Sequence, residues 1–74
     1  MTVEEALDAV LAEAAGERVH WTVLWDRALR GGLIDPLADR DARSAFMRAL
    51  SARAAAGAVE KVAPGTYLVP PAPG

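Results

Sequence analysis

The sequence predicts a mainly α-helical fold closed by a small β-hairpin: three helices, then two short strands. Three observations predict it. Apolar residues recur at helical spacing in three separate stretches before residue 57. Glycines stand where each of those stripes stops, at Gly16, Gly31-Gly32 and Gly57. Beyond Gly57 the pattern shifts to short runs rich in Val, Thr and Tyr around a Pro64-Gly65 step.

The first helix is expected over residues 3–15. Thr2-Val3-Glu4-Glu5 fits a capping box, with Thr2 as N-cap and Glu5 three positions on. Val3, Ala6, Leu7, Val10, Leu11 and Ala14 then line one helical face, and Gly16 supplies the left-handed stop. Residues 17–20 are too few for a helix and form a connector able to run extended beside the later strands.

A second helix is expected over 21–30, because Trp21, Leu24, Trp25, Ala28 and Leu29 fall at i, i+3, i+4, i+7 and i+8. Residues 33–38 form a turn region that still carries apolar anchors, Leu37 among them. The third helix is expected over 40–56 with Asp39 as its cap; Pro36 as first helical residue with Asp35 capping is the alternative. Its buried stripe is Ala42, Phe46, Ala49, Leu50 and Arg53, the last with its stem at the core's edge and its head in water.

Residues 58–62 and 66–69 are expected strands. Pro64 and Gly65 occupy the second and third positions of a type II turn between them, where proline presets φ and glycine tolerates a positive one. The expected core joins Leu7, Leu11, Leu24, Ala28, Phe46 and Leu50, with Val62 or Leu68 beneath the hairpin. Residues 1–69 thus make one domain, and the proline-rich residues 70–74 a tail or the start of a linker.

Composition limits what such a chain can do. Of 74 residues 53% are hydrophobic, yet seventeen are alanine, so a few large side chains must supply most of the buried area. With no cysteine, neither a disulfide nor a thiolate metal site can reinforce the core. The acids in the first helix exclude a signal peptide or membrane span there, and a cytoplasmic location is expected. The net charge of −2 is unevenly placed. Residues 1–39 carry eight acids against three arginines, whereas residues 40–74 carry five bases against two acids.

The order helix, extended connector, helix, turn, helix, hairpin is that of a winged helix-turn-helix with a two-stranded wing. Within it, Leu7 to Leu11, Val19-His20-Trp21, Ala28 to Leu33, Phe46 to Leu50 and the closing Gly65-Thr66-Tyr67-Leu68-Val69 resemble HARE-type helix-turn-helix domains. The resemblance spans roughly Thr2 to Val69. It implies DNA binding or DNA sensing, often as one module of a larger chromatin, transcription or restriction protein.

The residues themselves point to the same surface. With Phe46 inward, Arg40, Ser44, Met47, Arg48 and Ser51 lie on the outer side of the third helix and Arg43 at its flank. Arginine forks onto phosphate or guanine, and serine adds short hydrogen bonds. Lys61 and Thr66 of the wing are placed to reach an adjacent phosphate. The expected partner is therefore double-stranded DNA, read in the major groove by a module of a bacterial-type regulatory or defence protein.

The alternative is a protein-interaction module that binds another protein or itself, without membrane contact. In that case Glu5 and Asp8, flanked by Glu4, dock on Arg40, Arg43 and Arg48 of the next molecule, with Met47 or a tryptophan as apolar anchor. Catalysis is not expected. The single histidine, His20, stands at a helix start with no nucleophile and orienting partner at a recognisable spacing. Asp35, Asp39 and Asp41 lack the alternation, glycine and distal glutamate of a calcium loop, and no cofactor is expected.

Overall fold

The computed structural model describes residues 2–35, 37 and 40–71. The elements run α1 (Val3–Glu13), β1 (Arg18–His20), α2 (Trp21–Arg30), α3 (Ala42–Ala55), β2 (Glu60–Ala63) and β3 (Thr66–Leu68). Three helices therefore pack with one small antiparallel sheet.

Local chemistry sets the start of α1. The Glu5 amide donates to Thr2 Oγ1 at 3.1 Å, and the Thr2 amide donates back to Glu5 Oε1 at 2.8 Å. Two amides that the helix cannot satisfy internally are thereby paired. The Thr2 backbone N–H, and then its hydroxyl, hold the Glu5 carboxyl below the usual carboxylate range. At the far end of α3, Gly57 adopts φ +81°, the left-handed position that follows a helix. There the Ala58 amide reaches Arg53 O at 2.8 Å and the Gly57 amide reaches Ala54 O at 3.1 Å. That pair of bonds is a Schellman motif, and α2 closes the same way on Gly32 and Leu33.

Helix α3 begins at Ala42, two residues later than expected, with Asp41 at the cap position and no capping bond from its side chain. Arg40 consequently stands in the turn before the helix. The expected cap Asp39 and the alternative first helical residue Pro36 lie outside the described residues, while Asp35, the alternative cap, accepts through Oδ1 from the Leu37 amide at 2.9 Å. Leu37 is not an anchor. Its side chain is 94% exposed, and Ile34 fills the buried position of this connection instead.

The sheet has three strands rather than two. Its order is β1-β3-β2, so the connector joins the hairpin as a third strand. Arg18, Val19 and His20 pair with Leu68, Tyr67 and Thr66. The ladder continues at both ends: the Val69 amide donates to Glu17 O, and the Trp21 amide to Gly65 O, each at 2.9 Å. The hairpin turns at Pro64 and Gly65, with a register irregularity between Lys61 and Ala63.

Leu7, Leu11, Leu24, Ala28, Phe46 and Leu50 are buried together as expected. Phe46, Leu7, Leu24, Leu50 and Val10 are its largest fully enclosed side chains. At about 1.5–3 kcal/mol for each large apolar side chain, these few positions outweigh the many alanines. Trp25 closes one edge, its ring set against Phe46 at 5.3 Å in an edge-on arrangement. Beneath the hairpin other residues than the expected ones are buried. Val62 and Leu68 are only half-buried, whereas Val59, Tyr67 and Val69 face the core. A strand has period two, so pairing Tyr67 with the inward Val19 turns Leu68 to the other face.

Candidate nucleic-acid interface

The start of α2, the start of α3 and the hairpin turn meet on one side of the molecule. His20 is the N-cap of α2. Its Nδ1 accepts from the Thr22 amide at 3.3 Å and lies 2.8 Å from Thr22 Oγ1. The His20 ring in turn lies tilted beside Trp21, with centroids 5.8 Å apart.

Trp21 is where the three elements join. Its amide completes the β-ladder on Gly65 O, while its indole stays half-buried against the core. The turn lies so near that a Cβ on Gly65 would stand 2.6 Å from His20 Nε2 and 3.1 Å from Trp21 Cδ1. Gly65 also has φ +73°, so glycine is required there twice over. From the other side, the Arg43 guanidinium lies over the indole, 5.8 Å from the ring centroid.

Around this junction the expected contact residues separate into groups. Arg43 and Ser44 are exposed on the first turn of α3, and Met47 is half-buried one turn beyond Arg43. Exposed Arg40 precedes them in the turn, and half-buried Thr66 joins from the hairpin through its pairing with His20. Ser51 continues the outward line of Ser44, seven residues on. Arg48 does not share the Arg43 side: five residues apart, they diverge by about 140° around the helix. Arg48 lines a shallow depression with Val3, Glu4 and Ala52, on the α1 side. Lys61 sits at the opposite end of the hairpin, on an open groove of about 620 Å³ shared with Ala54, Leu68 and Pro70.

Two acids of the patch expected on α1, Glu5 and Asp8, are exposed and have internal partners. Glu5 is engaged in the capping box. Asp8 is held by Arg53, whose Nε and Nη2 donate to its two carboxylate oxygens at 3.1 and 3.4 Å. That hydrogen-bonded neighbour raises the Arg53 pKa above its ordinary value. Other ion pairs tie Arg27 to Glu17 at 3.5 Å and Arg30 to Asp26 at 2.9 Å. Among the described residues, no three His, Cys, Asp or Glu side chains converge as metal ligands. No helix there is long and apolar enough to cross a membrane.

Helical spacing put both tryptophans on the apolar stripe of α2, and both pack against the core while remaining half-buried. What that spacing missed is the second contact of Trp21, with Arg43 twenty-two residues away. No local spacing announces such a pair. The chain matches no protein-family model, no curated protein sequence and no solved structure.

Proposed function

We propose that the chain is a winged helix-turn-helix module that binds double-stranded DNA with the start of α3 and the wing turn, as its resemblance to HARE-type domains suggests. The observation that carries this reading is the junction at Trp21, which sets Arg43 and the wing turn on one surface. Such a surface offers a forked cation and hydroxyls at the leading end of a helix, the end that enters the major groove in helix-turn-helix proteins. The +3 balance of residues 40–74 favours the same side for a polyanion.

The divergence of the basic residues refines the expectation. Arg40 and Arg43 are the principal phosphate contacts, while Arg48 and Lys61 lie to either side. Binding of arbitrary duplex DNA is then expected to weaken with salt at a log–log slope of roughly −2. Arg43→Ala reduces that slope by about 1, and Arg48→Ala changes it less. A folded protein that leaves duplex DNA free at low salt excludes this reading.

A protein-binding role is favoured by one observation, the 94% exposure of Leu37 in the connection before α3. A solvated leucine suits an apolar partner better than a phosphate backbone. Leu37→Ser leaves DNA affinity intact if DNA is the ligand, and abolishes association if a protein is.

A further inference from the structure

We infer that Trp21 is a positioning residue for Arg43, so that the wing turn and the reading helix act on DNA as one rigid unit. The inference rests on the DNA-binding reading above and assigns a role within it. Arg43 is an exposed, flexible side chain, and left to itself it must be ordered each time it meets a ligand. Stacking on an aromatic face restricts it without using up its recognition chemistry. A guanidinium attracted to the π-face keeps its N–H donors at the rim, free to fork onto phosphate oxygens or onto guanine O6 and N7.

The indole is itself held. Its backbone is pinned to the turn by the 2.9 Å bond to Gly65 O, and its ring edge lies close to Gly65 and beside the His20 ring. Core packing of the same ring holds it from beneath. A shift of the wing turn therefore moves the surface on which Arg43 rests. Thr66, next in the chain after Gly65 and paired with His20, moves with it. The wing thus sets the direction of the arginine besides supplying a contact of its own.

The test is a double-mutant cycle on duplex DNA of arbitrary sequence at low salt, using the wild-type chain, Trp21→Leu, Arg43→Ala and the double variant. Trp21→Leu is expected to weaken binding roughly 2- to 10-fold, the effect of releasing one ordered long side chain. In the Arg43→Ala background the same change is expected to have no effect, and the salt slope falls, by about 1, only where Arg43 is removed. A purely structural Trp21 gives the opposite result, equal losses with and without Arg43, and that result overturns the inference while DNA binding stands. If wild-type protein binds no duplex at all, both readings fall together.

Should Trp21→Leu not fold, Trp21→Phe decides by the same cycle, with a smaller loss because phenylalanine is the weaker π-partner. A readout free of DNA accompanies it. The Arg43 side-chain protons are expected to show an aromatic ring-current shift in the wild type that diminishes in Trp21→Phe. Unshifted Arg43 protons in the wild type overturn the inference.

Discussion

Arg53 of α3 grips Asp8 of α1 across 45 positions of sequence, with two nitrogens on two carboxylate oxygens. The side chains are 27% and 60% exposed, so water and salt weaken the attraction. A coupling energy below about 1 kcal/mol is expected from a double-mutant cycle on this pair. Arg53→Ala is expected to cost more than Asp8→Asn, because it also strips the apolar stem from the core's edge. Equal costs in chemical denaturation contradict that account.

Phe46 is the largest fully enclosed side chain and carries the edge-on contact with Trp25. Phe46→Ala is expected to cost about 3–5 kcal/mol, against a total of about 5–15 for a typical domain. The denaturation midpoint of the variant, followed by circular dichroism, should fall steeply. An unchanged denaturation midpoint is incompatible with the packing described.

Gly65→Ala meets two obstacles at once, a positive φ and His20 Nε2 at 2.6 Å. The histidine cannot swing away freely, because its other nitrogen caps α2. A loss of about 1–3 kcal/mol is expected, from backbone strain and a weakened cap together. Gly57 shares the positive φ but has open space around it. Gly57→Ala should therefore be the milder change in parallel urea titrations.

Acid should loosen the start of α1. The folded-state pKa of Glu5 is depressed, so its contribution is present above the ordinary carboxylate range and is lost as pH falls through the folded value. Glu5→Gln keeps a side-chain acceptor for the Thr2 amide but cannot titrate. It is expected to remove part of the stability change on acidification, read from melting temperatures at descending pH. Identical pH profiles for the two proteins rule out a role for this carboxylate.

The local sequence determined most of what lies along the backbone. The Thr2/Glu5 box, the glycine stops and the Pro64-Gly65 turn act within a few residues, and the helical stripes select their own buried faces. For that reason three helices, the hairpin and the Leu7–Leu11–Leu24–Ala28–Phe46–Leu50 core were legible before any tertiary information. Tertiary packing decided the rest. Strand phase depends on the neighbouring strand: once Val19 pairs with Tyr67, Leu68 turns away from the core and Tyr67 turns toward it. The candidate site has the same character. Helical spacing placed Arg43 on a flank and turned Arg48 about 140° away from it, but only the packing of α2 against α3 and the hairpin turn put an indole beneath Arg43. Such contacts join residues far apart in sequence, and their geometry exists only after the chain has closed on itself.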